Sequence, residues 1–95
     1  MSLRFEWDPK KAETNQTKHH VSFEEALTVF ADPLARIFPD EEHSVDELRE
    51  IIIGHSAQQQ LILVNFTATD DEVRIFSARK ATRRERKDYE ENIGS

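Results

Sequence analysis

Two clusters in the 95-residue chain hold side chains able to do chemistry. The first is Lys18-His19-His20. An imidazole, with an unperturbed pKa of about 6.5, gives or takes a proton near neutrality. A neighbouring lysine favours the neutral ring that a general base needs. The same triplet fits equally well as a polar corner between elements, with one histidine bonded to the backbone. The second cluster is residues 74–89, RIFSARKATRRERKDY. Residues 79–87 contain six of the thirteen Lys and Arg and one acid, Glu85, so a local charge of +5 sits in a chain whose remainder carries −11. Such an imbalance marks either an anion-binding edge or a contact for the molecule's own acidic surface. Within it, strand alternation sends Val73, Ile75, Ser77 and Arg79 one way and Arg74, Phe76 and Ala78 the other. An arginine that continues an inward apolar row suits a phosphate or a buried carboxylate equally.

Other chemistries find less support. Asp40, Glu41, Glu42, Asp46, Glu47 and Glu50 read as an exposed acidic turn and strand edge, with Arg49 among several available carboxylates. His19, His20, His43 and His55 show no recognised metal-ligand spacing, so no metal is expected. There is no cysteine, which excludes a disulfide framework and a thiolate nucleophile. Ser56 and Ser77 lack the glycines of a nucleophile elbow, and no Gly-rich phosphate loop exists.

The elements that must position these residues are legible in the hydrophobic pattern. Residues 3–7 alternate as a half-buried strand. Asp8-Pro9 then provides an N-cap and a first helical proline for a polar helix to about residue 17, with Ala12 and Asn15 turned inward. Ser22 and Glu25 form a capping box for a second helix with a stripe of Phe23, Ala26, Leu27 and Phe30, ended by Asp32-Pro33. Short strands are expected at 34–38 and about 47–54. Residues 61–66 and 73–76 are apolar at most positions, interrupted by Asn65 and Arg74, and are read as strands covered on both faces. Thr82 and Glu85 form a second capping box, opening a helix to about residue 91. The order β-α-α-β-β-β-β-α with short loops predicts an α+β fold with a largely antiparallel sheet.

Length and composition predict a single domain over residues 1–95 with one modest core. No apolar run approaches a membrane span and no signal sequence is evident, so a soluble, cytoplasmic chain is expected. The net charge of −6 opposes broad coating of nucleic acid, because that binding scales with the phosphates neutralised. A focused phosphate site is compatible with it.

Three motifs in order, FEWDPKKAETNQTKHHVSFEEALTVFADP, then RxxxIGHS with Arg49 and Gly54, then RIFSARKATRRERKDYE, resemble the BrnT family of ribonuclease toxins over nearly the whole chain. The resemblance implies a RelE-like α+β fold and the toxin half of a type II toxin–antitoxin pair. It also implies metal-independent RNA cleavage without a cofactor, through the substrate 2′-hydroxyl. The implied partner is a small antitoxin with a ribbon-helix-helix region, and DNA is contacted only through that antitoxin. The matching polar positions are Trp7, Lys18, His19, Arg49, Arg79, Arg83 and Arg86. By that resemblance Lys18, His19, Arg49 and Arg79 are the catalytic candidates, with His19 carrying the proton and Arg79 clamping the transition state. Trp7, Arg83 and Arg86 would hold RNA. The chain departs from the family pattern where a glycine commonly follows the Lys-His pair (His20 here). It departs again where members often carry a Gly-Arg pair near Gln59-Gln60 and an arginine near Thr69. These departures keep an alternative open: a non-catalytic, toxin-like module that binds an antitoxin and takes part in operon repression.

Overall fold

The computed structural model describes residues 4–43 and 48–93, so the expectations for Leu3, Asp46, Glu47 and the side chain of His43 lie outside the described residues. In chain order the elements are β1 (Arg4–Glu6), α1 (Pro9–His19), α2 (Phe23–Thr28), a 3-10 turn at Val29–Ala31, β2 (Arg36–Pro39), a 3-10 turn at Glu41–His43, β3 (Glu50–His55), β4 (Leu61–Ala68), β5 (Glu72–Lys80) and α3 (Arg83–Ile93). The five strands form one sheet in the order β1-β5-β4-β3-β2. It is mixed: β1 runs parallel to β5 and the other three pairings are antiparallel.

Each face of the sheet has its own apolar cluster. Val21, Phe23, Ala26 and Val29 from the N-terminal helical segment meet Ile52, Ile62, Val64, Phe66, Val73, Ile75 and Ala78 on one side. Ile53, Leu61 and Leu63 meet Tyr89 of α3 on the other. Successive residues of β3 and β4 therefore feed opposite clusters, which is why those strands are apolar without alternation. Strand β2 lies at the sheet edge, and all four of its residues are exposed.

Local chemistry sets the helix ends. The Asp8 carboxylate accepts from the Lys10 N–H at 2.9 Å and Pro9 takes the first turn of α1. Lys18 and His19, expected in an inter-element corner, instead complete the last turn of α1. Only His20 leaves it, in the left-handed region at φ 59°, with its N–H bonded to the Gln16 carbonyl. Cations in a last turn face the negative end of the helix dipole, which favours this extension. At α2 the Ser22 hydroxyl accepts from the Glu25 N–H at 3.0 Å. The return half of that capping box is not what Glu25 makes. Its buried carboxylate accepts from the Ser56 hydroxyl at 2.7 Å and the Gln60 amide at 3.1 Å, tying α2 to the β3–β4 turn.

Two features correct the strand reading. Asn65 pairs with Ser77 and Phe66 with Ile75, so Phe76 is an extra residue, a β-bulge. The bulge resets the alternation. Val73 and Ile75 now share the helix-covered core with Ala78, while Ser77 and Arg79 stand opposite Asn65 and Leu63 on the side of α3. The expected single row of Val73, Ile75, Ser77 and Arg79 is thus split. Beyond the three-residue β1, the outer edge of β5 is satisfied by Asn15 of α1. Its amide donates to the Ala78 carbonyl at 2.8 Å and accepts from the Ala78 N–H at 3.0 Å, as a neighbouring strand would. Asp40, expected in an exposed acidic turn, is only 5% exposed and accepts from the Asn65 amide at 2.6 Å.

Candidate functional site

Where α1 crosses the bulged edge of β5 the two enclose a cleft of about 440 Å³. Lys11, Thr14 and Lys18 line it from successive turns of α1, joined by Lys10 and His19. Spacings of three and four residues keep such side chains on neighbouring rows of one helix face. The sheet side is Arg49, just before β3, Asn65 of β4, and Phe76 and Ser77 of the bulge.

Charge in this cleft has one sign. Lys10, Lys11, Lys18 and Arg49 line it, and no Asp or Glu does among the described residues. The bulge pushes the Phe76 ring under two of these cations, with the Arg49 Cζ 4.1 Å and the Lys11 Nζ 5.2 Å from its centroid. A ring face attracts cations through its quadrupole, by about 0.5–2 kcal/mol depending on desolvation, so Phe76 helps orient both. Beside it the Ser77 hydroxyl lies 3.2 Å from the Asn65 carbonyl oxygen, and Asn65 is held from behind by Asp40. A concentrated, oriented positive field with one imidazole on its wall can bind a phosphodiester and move a proton next to it.

Of the residues singled out in the sequence, Lys18, His19 and Arg49 converge on this cleft. Arg79 is not among its lining residues. Its guanidinium makes a bidentate pair with Glu85, at 2.7 and 2.8 Å. That pair raises the guanidinium pKa further and holds the Glu85 carboxyl down at about 2, with the Thr82 N–H assisting. Glu85 also completes the expected capping box, accepting from the Thr82 N–H at 2.8 Å while the Thr82 hydroxyl accepts from the Glu85 N–H at 3.2 Å. Trp7 is half-buried, edge-on to Phe23 with centroids 5.8 Å apart, at the margin of the core. Arg83 and Arg86 are exposed on α3. Lys10, Lys11, Asn65 and Phe76 were not singled out in the sequence, and Ser77 was weighed there only as a nucleophile and set aside. The helical spacing of Lys11, Thr14 and Lys18 was a visible signal for Lys11, whereas nothing in the strand pattern announces a bulge.

A larger cleft of about 870 Å³ lies elsewhere, lined by Phe5, Leu27, Phe30, Ala31, Ala57 and several polar groups, among them Asp32 and His55. It has no Lys or Arg among its lining residues, so size does not make it the better anion site. Asp32 there is engaged by the protein itself. Burial alone would raise its pKa, but the backbone N–H groups of His55 and Leu34, the His55 ring and the Tyr89 hydroxyl hold it below the ordinary carboxylate range. Among the described residues no three His, Asp or Glu are grouped to hold a metal, and no helix is long and apolar enough to cross a membrane.

No curated protein sequence matches the chain. In architecture it is similar to the crystal structure of the Brucella abortus ribonuclease toxin BrnT, with a TM-score of 0.67 and 24% sequence identity over 86% of this chain and 100% of that one. The family model described as ribonuclease toxin, BrnT, of type II toxin-antitoxin system matches residues 7–85, a span that takes in both walls of the cationic cleft. The chain therefore belongs to the BrnT family of ribonuclease toxins.

Proposed function

We propose that the cleft between α1 and the β5 bulge is where this chain cuts RNA, without a metal or cofactor, using the substrate's own 2′-hydroxyl. The observation that carries this reading is the convergence of Lys18, His19 and Arg49 on one cleft lined by no carboxylate among the described residues. In the reaction the 2′-oxygen attacks phosphorus as its proton passes to the His19 imidazole. The P–O5′ bond breaks, and a proton returned from the imidazolium neutralises the departing 5′-oxygen. Arg49, oriented over Phe76, and Lys18 stabilise the extra negative charge on the phosphoryl oxygens. One such donor is worth about 3–4 kcal/mol in transition-state energy, or 10²–10³ in rate. Arg79 lies outside the cleft's lining, bound to Glu85, whereas Arg49 lines it, so in this reading Arg49 takes the clamp role that the family resemblance implied for Arg79. Arg83 and Arg86 on α3 and Trp7 beside α1 would extend contact to the RNA chain.

The sheet, with α2 packed on one face, α3 on the other and α1 along the edge of β5, is read as RelE-like. The partner is read as a ribbon-helix-helix antitoxin that also carries the pair to DNA, and this function requires a cytoplasmic location. The antitoxin's seat is read at β2, an edge strand where Ile37 is 55% and Phe38 42% exposed, with Leu34 beside it at 57%. An edge of this kind is a template for an added strand.

Incubating the purified chain with RNA in EDTA tests the enzyme reading. Cleavage is expected, and it should fall at least 10²-fold in His19→Ala and in Arg49→Ala with melting temperature preserved. Unchanged cleavage in His19→Ala would sink the mechanism. The second reading, a module that only binds antitoxin, is favoured by Gln60, which sits in a loop where the family often carries cations and spends its amide on Glu25. Induction in a bacterial host without a partner separates the two: arrest with RNA decay supports the enzyme, and unchanged growth with intact RNA at good expression supports the module.

A further inference from the structure

We infer that Ser77 is the residue that reads the ribose, accepting a hydrogen bond from the substrate 2′-hydroxyl and so directing the chain to RNA over DNA. The inference rests on the ribonuclease reading of the cleft and adds a residue to it.

The argument follows hydrogen-bond direction through three side chains. Asp40 is 5% exposed, and its Oδ2 lies 2.6 Å from the Asn65 Nδ2. A carboxylate only accepts, so the amide nitrogen of Asn65 must face Asp40. That orientation turns the Asn65 carbonyl oxygen toward Ser77, 3.2 Å from its Oγ. A carbonyl oxygen also only accepts, so the single hydroxyl proton of Ser77 is committed to Asn65. What Ser77 has left for the cleft is its lone pairs. An isolated serine hydroxyl rotates to suit its surroundings, but this one is fixed as an acceptor by a buried carboxylate two residues removed.

An acceptor is an unexpected thing to present in a cleft built for an anion. Phosphate oxygens carry no proton and are served by Lys11, Lys18 and Arg49 along the same walls. In RNA the ribose 2′-hydroxyl is the donor nearest a scissile phosphate, and DNA lacks it. The β-bulge supplies the geometry, because the extra residue Phe76 brings Ser77 into register with Asn65 while Phe76 itself carries the cations alongside. The 2′-hydroxyl has one proton, so its bond to Ser77 belongs to the bound substrate and is exchanged for one to His19 as the reaction begins; until then it holds the 2′-oxygen beside the phosphorus it attacks. Ser77 is thus a positioning and specificity residue, distinct from the proton carrier His19.

The experiment uses mixed-sequence RNA and DNA 30-mers of matched composition. Binding is measured on the His19→Ala background, which suppresses cleavage, and cleavage is measured on the His19 background. With Ser77 intact, RNA should bind about fivefold to tenfold tighter than DNA. Ser77→Ala should remove that preference by weakening RNA alone, and Ser77→Thr, which keeps the hydroxyl, should restore it. The cleavage rate should fall with Ser77→Ala and recover with Ser77→Thr. An RNA preference that survives Ser77→Ala, or no preference with Ser77 intact, overturns the inference. A Ser77-dependent RNA preference without cleavage by the unaltered chain refutes the ribonuclease reading and leaves the ribose contact standing.

Discussion

Replacing Glu85 with glutamine tests what the end of β5 is built for. Glutamine keeps the shape of the side chain and can still accept from the Thr82 N–H, so the cap of α3 survives and only the charge opposite Arg79 is removed. The Glu85 carboxyl titrates at about 2 in the fold against an ordinary 4.5, chiefly because of the bidentate hydrogen bonds from Arg79. At 1.36 kcal/mol per decade that difference corresponds to about 3.4 kcal/mol. The Arg79 and Glu85 side chains are 42% and 30% exposed, and screening by solvent brings the expected contribution down to about 1–2 kcal/mol. Because the folded value lies below the unfolded one, the stabilisation is complete above about pH 4.5 and drains away as pH falls toward 2. Urea unfolding at pH 7, 5, 3.5 and 2.5 should therefore show Glu85→Gln less stable by about 1–2 kcal/mol at the two higher values, with the gap shrinking steadily below them. A gap that stays constant across this range refutes the ion-pair reasoning. A variant of unchanged stability that no longer cleaves RNA would return Arg79 to the phosphate.

The two non-glycine residues at positive φ among those described are His20 at 59° and Gln59 at 63°. His20→Gly and Gln59→Gly should each stabilise the fold by about 0.5–1 kcal/mol, the left-handed strain outweighing the added chain entropy, and calorimetry should show a higher melting temperature for the pair. Gly54 is the converse case. An added Cβ would lie 2.8 Å from the Ala35 Cβ, 3.0 Å from the Asp32 Oδ2 and 3.2 Å from the Val29 Cγ1. Gly54→Ala should cost about 1–3 kcal/mol in denaturant unfolding, and a neutral result would show that β2 shifts freely.

Much of the fold was written locally. Asp8-Pro9, Ser22 and Thr82 begin their helices as the capping chemistry predicts. The apolar run of β4 announced a strand covered on both faces, which it is, whereas β5, read the same way, leaves Arg74 exposed. The parallel seat of β1 beside β5 was not legible, since strand order depends on contacts between residues far apart in the chain. The candidate site divides along the same line. Lys18, His19 and Arg49 were visible by residue type and family motif, and their meeting in one cleft is a tertiary fact. Arg79 carried two readings because a guanidinium suits phosphate and carboxylate alike, and the carboxylate within 2.8 Å of it, Glu85, is visible only once α3 is placed. Phe76 and Ser77 were assigned to opposite faces because alternation was carried straight through the strand. The bulge that brings both to the cleft arises from register against β4, and a register is a relation between two strands that neither strand's own sequence contains.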